Sequence, residues 1–337
     1  MQKKWQKLIL SALLCSGLIS PQLSLANTAQ RQDVQAFIDR LASKHNFQRD
    51  ELTQMFGQVE IQAAIIDAMN RPYEGKPWFQ YRPIFVTQAR IDEGAKFLQE
   101  NYKVLKQAEQ KYGVPTEVIT AILGVETRYG RYRGKYRVVD ALATLGFDYP
   151  RRSKFFLKEL EAFLLLSREE KFDPLAIASS YAGAMGKPQF MPSSYRMYAV
   201  DFDGDGVRDL LDNSADAIGS IANYLSRHGW LRDQPIAVKT KATQQGPQKM
   251  GKLKKPSKPV QHWLDKGYQP AEVTSEQLKA DLIVLETKQG PEYWLGLQNF
   301  YSITRYNHSE LYAMAVFQLS QGIKQQHQAG QSQAQSE

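Results

Sequence analysis

Residues Pro115–Gly130 read P-T-E-V-I-T-A-I-L-G-V-E-T-R-Y-G. Val118, Ile119, Ile122 and Val125 recur at the spacing of one helix face, so this stretch is a helix enclosed in a core. Pro115 stands where a helix starts, because its missing N–H needs no partner there. Gly130 suits a left-handed cap at the other end. Glu126 follows directly on the apolar face. Burial there disfavours the charged carboxylate and raises its pKa, which is what a general acid requires at neutral pH. The competing reading is an ion pair with Arg128, Arg131 or Arg133, and the stretch alone does not choose between them.

Outward from this helix, the upstream pattern is helical from Gln32. Val34, Phe37, Ile38 and Leu41 share a face, as do Ile61, Ala64, Ile65, Ala68 and Met69. Pro72 and Pro77 punctuate a loop before Trp78, Tyr81, Ile84 and Phe85 resume the spacing. Ile91, Ala95 and Leu98 mark another helix, and Tyr102 to Lys111 a further one that Gly113 ends. Downstream, helical blocks run from Ser153 to Ser167 and from Ser214 to His228. After Trp230 the composition shifts. Short apolar runs at Ile236–Val238, Leu282–Leu285 and Tyr293–Leu297 flank Gln244–Pro259, which is rich in Lys, Gly, Pro and Gln. This is a small β-rich insertion with an exposed loop, on which Lys249, Lys252, Lys254, Lys255 and Lys258 are solvated. A last helix, Glu310 to Gly322, has Leu311, Ala315 and Leu319 on one face. The Gln/Ser-rich tail after Gln325 is expected to be disordered. The chain is therefore α+β and predominantly helical. Its expected divisions are a helical region over 27–112, a helical core over 113–234, the insertion over 235–301, a final core helix over 302–324 and a tail over 325–337.

Residues 1–26 stand outside that organisation. Lys3, Lys4 and Lys7 precede an apolar run from Leu8 to Ile19, Pro21 breaks it, and Ser24-Leu25-Ala26 supplies small residues at a cleavage site. That is the layout of a secretory signal peptide cleaved after Ala26, and the run is too short to span a membrane. A lipid anchor at Cys15 is disfavoured because Leu14, just before it, is not small. Cleavage removes the only cysteine, leaves 311 of 337 residues and lowers the net charge from +8 to +5. A periplasmic chain without disulfides must rely on its core, helped by any metal it binds. Modest basicity suits an anionic polymer but equally serves solubility. Export and the lack of any motif argue against nucleic-acid binding.

Two further segments carry chemistry. Ala178–Tyr195, A-S-S-Y-A-G-A-M-G-K-P-Q-F-M-P-S-S-Y, opens with small residues and then alternates polar side chains with aromatics and Met. Glycines let backbone approach a ligand closely, and aromatic faces beside amides and hydroxyls suit a sugar. Met185 and Phe190 are counted among the expected contacts, the alternative being that they pack in the core. Asp201–Asp212, D-F-D-G-D-G-V-R-D-L-L-D, places carboxylates at loop positions 1, 3, 5, 9 and 12 and glycine at 6. This follows the calcium-binding EF-hand loop, with Asp201, Asp203, Asp205 and the Val207 carbonyl as ligands. Asp212 is shorter than the usual closing Glu, and Asp216 is its rival for that role.

In this order, the segments resemble the soluble-type lytic transglycosylases of the membrane-bound lytic murein transglycosylase B family. W-F-Q-Y-R at Trp78–Arg82, Y-P-R-R at Tyr149–Arg152, D-A-I-G-S-I-A-N-Y at Asp216–Tyr224 and Tyr306-Asn307 add to the match, which covers nearly all of the mature chain. The resemblance implies a lysozyme-like core, a helical N-terminal region, a small inserted antiparallel β domain and one structural Ca2+ site. It implies cleavage of the MurNAc–GlcNAc β-1,4 bond of peptidoglycan to leave 1,6-anhydroMurNAc ends, with Glu126 as acid and base. Ser180, Gln189, Tyr306 and Asn307 fall at subsites near the scissile bond, and Tyr81, Arg151, Arg152 and Tyr224 at other glycan or peptide contacts. Thr127 replaces the Ser that many such enzymes carry. Phe155 falls where an aromatic hydroxyl is expected. The rival functions are a hydrolytic muramidase of lysozyme type and a non-catalytic peptidoglycan-binding scaffold. A monomer is expected, with glycan strands as the main partner and other cell-wall enzymes as further ones.

Overall fold

The computed structural model describes residues 28–70, 75–244, 246–247, 254–272 and 275–334. The expected leader with Cys15, Pro72, Lys249, Lys252 and the last three residues lie outside them. The chain divides between Gln58 and Val59 into two units. In the first, α1 (Gln32–His45) and α2 (Arg49–Phe56) bury the apolar stripes legible in sequence. Phe37 meets Phe56 edge-on at 5.9 Å, and Asn46 closes α1 in the left-handed region.

The second unit holds the remaining helices and both sheets. Its first helices are α3 (Ala63–Met69), α4 (Trp78–Phe85), α5 (Gln88–Glu100), α6 (Tyr102–Tyr112) and α7 (Thr116–Thr127). Along α7 every residue from Val118 to Val125 is buried, because α5, α6, α11 (Ser214–Arg227) and α14 (Glu310–Ala334) pack around it. The pair α8 (Val138–Asp148) and α9 (Ser153–Glu169) lies between these in sequence, with α3 against α8 and α10 (Pro192–Tyr198) against α9. A two-stranded ribbon joins β1 (Tyr136–Arg137) to β2 (Ala178–Ser179). Among the described residues no helix is long and apolar enough to cross a membrane.

After α11 come β3 (Ala237–Ala242), β4 (Lys258–Pro259), α12 (Val260–Leu264), β5 (Tyr268–Pro270), β6 (Lys279–Thr287), β7 (Gly290–Gly296) and α13 (Gln298–Thr304). The five strands form one antiparallel sheet in the order β4-β6-β7-β3-β5. Period-two alternation serves both of its faces. Leu282 and Leu295 join Val260 and Trp263 in one small core. On the other face, Trp294 meets Phe317 of α14 edge-on at 5.9 Å, and a Cβ at Gly296 would lie 2.6 Å from Ile283 and 3.2 Å from Phe300. The molecule is thus mostly helical with a small antiparallel sheet, as expected.

One element is longer than the sequence reading. The last helix continues past Gly322 and Gln325 to Ala334. Its tail is rich in Gln and Ala, which lose little rotamer freedom in a helix. His327 stacks on Tyr102 at 5.8 Å, a tertiary contact that composition does not reveal.

Candidate active site

The site is built where α7 stops. Arg128, Tyr129 and Gly130 are all left-handed, with φ of 49°, 61° and 88°. The Tyr129 N–H reaches back to the Leu123 carbonyl at 3.0 Å. Such a conformation is costly for a residue with a Cβ, and two side chains hold it. The Arg128 guanidinium donates to both oxygens of Glu93, at 2.7 and 2.6 Å, and Arg131 joins the same carboxylate at 3.0 Å. The hydrogen bond and charge of Arg128 hold the Glu93 carboxyl below the ordinary value. The Tyr129 hydroxyl donates to the Arg90 carbonyl at 2.6 Å, and its ring covers Gly124, where a Cβ would lie 2.6 Å from the phenol oxygen. Glycine in mid-helix is required there by that close approach.

Glu126, just before this turn, is half-buried. Its Oε1 accepts the hydroxyl of Tyr312 at 2.6 Å. Tyr312 itself is 2% exposed and comes from α14. Tyr306 lies parallel to it with centroids 6.3 Å apart. Burial first, and then the Glu126 charge, push both phenols well above the ordinary tyrosine value, so both keep their protons and act as donors. The three arginines proposed as rivals have other partners: Arg128 and Arg131 meet on Glu93, and Arg133 pairs with Asp212 at 2.5 Å. Other acidic side chains around the core are likewise engaged, Glu117 with Lys324, Asp140 with Arg137 and Glu159 with Ser193.

The Ala178–Tyr195 segment meets this helix end directly. Buried Thr127 donates its hydroxyl to the Lys187 carbonyl at 2.8 Å and accepts the Gly130 N–H at 3.0 Å. The segment is tightly folded: Met185 and Phe190 exchange backbone hydrogen bonds of 2.9 and 3.1 Å. Gly183, Gly186 and Gln189 are left-handed, and the Gln189 amide donates to the Gly186 carbonyl at 2.9 Å. Ser180 accepts the Ala184 N–H on its hydroxyl at 3.2 Å. Met185 has no exposed surface and Phe190 almost none, so they support the segment from behind rather than forming its surface.

Phe190 joins Tyr224, Tyr306 and Tyr312 into one aromatic wall. Its ring lies 5.5 Å from Tyr224 and 5.6 Å from Tyr306. Tyr306 anchors to the Pro188 carbonyl at 2.6 Å and Tyr224 to that of Arg305 at 2.5 Å. Asn307 follows at the half-buried turn before α14, its carbonyl accepting the Ser309 N–H at 2.7 Å. Tyr81 is buried against Trp78 and Phe85. Arg151 and Arg152 are exposed on the turn into α9, with the Arg152 guanidinium 4.3 Å from the Phe155 ring centre.

In the acidic loop, ligand oxygens of Asp201, Asp203 and Asp205 all lie within 4.8 Å of one another. Asp201 accepts the N–H groups of Gly204 and Gly206, at 2.7 and 2.8 Å. Gly204 and Gly206 take positive φ, as this turn requires. The rivals for the closing position differ in setting. Asp212 is exposed and paired with Arg133. Fully buried Asp216 uses its two oxygens on the N–H groups of Phe202 and Asp209, both at 2.7 Å, and so braces the loop. Burial pushes the Asp216 carboxyl above its ordinary value.

Sequence reading missed Tyr312 and Glu93. A signal for Tyr312 existed: Tyr312, Val316, Leu319 and Ile323 recur at helical spacing and are buried, as are Ala315 and Leu319 of the expected face, of which only Leu311 is half-buried. For Glu93, thirty-five residues from Arg128, no local signal exists.

A family model described as "Transglycosylase SLT domain" matches residues 29–321. The chain is 42% identical over 320 residues to membrane-bound lytic murein transglycosylase B of Escherichia coli (strain K12), covering 91% of this chain and 88% of that one. Soluble lytic transglycosylase SltB1 from Pseudomonas aeruginosa is similar in structure with a TM-score of 0.82 and 44% identity, over 87% of this chain and 98% of that one. The E. coli lytic transglycosylase Slt35, solved in complex with calcium, gives a TM-score of 0.83 and 42% identity, over 92% and 99%.

Proposed function

This chain belongs to the Transglycosylase SLT domain family and is a lytic transglycosylase of peptidoglycan, and from that premise we propose that Glu126 alone performs both proton transfers. The observation that carries the proposal is the 2.6 Å hydrogen bond from buried Tyr312 to Glu126, at the end of an apolar helix where the other acid, Glu93, is held by Arg128 and Arg131. Ordinary glycosidases use two carboxylates, and one suffices where the substrate supplies the second group. Protonated Glu126 donates to the glycosidic oxygen, the bond from that oxygen to C1 of the muramic acid breaks, and the N-acetyl carbonyl oxygen stabilises C1. Ionised Glu126 then takes the proton of the C6 hydroxyl, whose oxygen bonds to C1 and displaces the carbonyl oxygen. No water enters, and the product ends are 1,6-anhydro rings. The intramolecular hydroxyl outcompetes water because it is already positioned. Ser180, Gln189, Tyr306 and Asn307 are the proposed contacts near the bond, with Tyr224, Arg151 and Arg152 farther along the strand; Tyr81, expected among them, is as buried as Phe190 and supports the site from the core.

The acidic loop is the proposed calcium site. Alternating hard oxygen donors from Asp201, Asp203 and Asp205, gathered within 4.8 Å, fit a cation of this size. The Val207 carbonyl and Asp212 are the further ligands proposed, and Asp216 stays a brace. Calcium held there would neutralise the charge of the loop and would not be one of the reacting groups. Residues 1–26 are the proposed export leader, and N-terminal sequencing of the mature protein is expected to begin at Asn27.

Mass spectrometry of a digest of purified sacculi tests the reaction. Anhydro ends are expected throughout, lighter by one water than the reducing ends a muramidase leaves. A digest made of reducing ends overturns the mechanism, and no digestion at all favours the scaffold reading.

A further inference from the structure

We propose that Lys187 is a positioning residue that carries the geometry of the Asp201–Asp212 loop to the helix end bearing Glu126, so that calcium raises turnover as well as thermal stability. The inference rests on the calcium and Glu126 assignments made above.

Lys187 is bonded to the loop on one side and to the helix on the other. Its N–H donates to the Leu210 carbonyl at 2.8 Å. Its ammonium donates to the Asp212 carbonyl at 2.6 Å and to the Ser214 hydroxyl at 2.7 Å. Its own carbonyl accepts the hydroxyl of Thr127 at 2.8 Å, the residue next to Glu126. There is no slack between the two backbones, since a Cβ on Gly186 would lie 2.5 Å from the Leu210 carbonyl oxygen. A second brace runs through Tyr195, whose phenol oxygen accepts the Leu210 N–H at 2.9 Å and donates to the Arg208 carbonyl. The Arg133–Asp212 pair is a third link, but its carboxylate is 70% exposed, and solvent weakens such a pair.

The loop has a reason to move. Three carboxylates whose oxygens lie within 4.8 Å repel one another unless a cation sits among them. Relaxation of that repulsion displaces Leu210 to Asp212, and Lys187 follows them. Its carbonyl then withdraws from Thr127, and the left-handed turn after Glu126 loses one of its anchors, the others being the Arg128–Glu93 and Tyr129–Arg90 bonds. Small misplacements of a reacting group are expensive, about a hundredfold in rate for 1 Å. The alternative is a loop that stabilises the fold without touching the chemistry.

The test uses the mature enzyme stripped with a chelator and then reloaded with calcium. Tm, kcat and KM on sacculi, and hydrogen exchange at the Gly130 and Tyr132 amides, are followed together. Those amides report the latch because they donate to the Thr127 hydroxyl and carbonyl. In the wild type, calcium is expected to raise Tm, to raise kcat about tenfold with KM nearly unchanged, and to slow exchange at both amides. Lys187→Met removes only the two bonds of the ammonium and leaves the main-chain bonds to Leu210 and Thr127, so it should keep the rise in Tm and reduce the kcat and exchange responses without abolishing them. Thr127→Val and Thr127→Ser cut and keep the link itself, the first losing the kcat response and the exchange response at Tyr132, the second retaining both. The proposal is overturned if the variants lacking the link respond to calcium as the wild type does. It is also overturned if calcium raises the wild-type Tm alone. A Tm indifferent to calcium removes the metal assignment, and this proposal with it. The exchange readout needs no catalysis, so its failure is separate from any failure of the Glu126 assignment.

Discussion

Glu126 and the Asp201–Asp205 cluster contain the same functional group in opposite surroundings. Glu126 is half-buried at the end of a core helix, facing a phenol that is 2% exposed. The aspartates lie on a largely exposed loop, where backbone N–H groups of Gly204, Gly206 and Val207 turn their oxygens toward one point. A lone carboxyl in a poorly solvated wall exchanges a proton with a neighbour, whereas several solvated carboxylates that cannot separate collect a cation. The lesson is that the number of carboxylates and their hydration, rather than their chemistry, divide the two proposed jobs.

Each change below breaks or sharpens that contrast, from the largest effect to the smallest. Glu126→Gln should retain the Tm and lose about 10³-fold or more in anhydromuropeptide release, roughly 4 kcal/mol in barrier height. Substantial release by that variant would show that the proton donor lies elsewhere. Removing calcium from the loop should lower stability by about 2.7 kcal/mol when the free ion had stood at a hundred times its Kd, read by thermal melts with and without chelator. An unchanged melt would dissolve the metal half of the comparison.

Tyr312→Phe removes the hydroxyl bonded to Glu126 and should lower kcat by about tenfold. Since burial holds the Tyr312 and Tyr306 phenols well above their ordinary value, an alkaline fall in activity is expected to come from another group and to persist in this variant. Its disappearance in a pH–rate profile would transfer that role to Tyr312. Glu93→Gln should lower Tm by only about 2 °C, because the pair it breaks is partly solvated. The folded-state pKa of Glu93 is depressed, so the ion pair stabilises fully above the ordinary carboxylate range. That stabilisation is lost as pH falls through the depressed value. The gap between wild type and variant should therefore be widest near neutrality and close on acidification, as melts at several pH values will show.

The contrast was only partly legible before folding. Local periodicity carried α7 and the helices around it, because one turn of helix spaces Val118, Ile122 and Val125 regardless of what they pack on. The acidic loop was legible for a similar reason, since its ligands alternate within a few residues and glycine is demanded at a fixed place. Met185 and Phe190 show where such reading fails: an alternation of polar and aromatic residues does not say which side faces the core, and both face it. The extension of α14 to Ala334 likewise depends on partners such as Tyr102, which sequence spacing does not connect to His327.

By itself, then, the sequence determined the elements, the apolar helix that ends at the proposed acid Glu126 and the spacing of the calcium-type loop, because these depend on neighbours a few residues away. Only the tertiary structure decided what surrounds that acid. Tyr312 stands 186 residues from Glu126, Glu93 captures two of the arginines that competed for it and Asp212 the third, and Lys187 meets Thr127 from 60 residues away. Hydrogen bonds reach only about 3 Å, so partners this distant in the chain are chosen by packing alone.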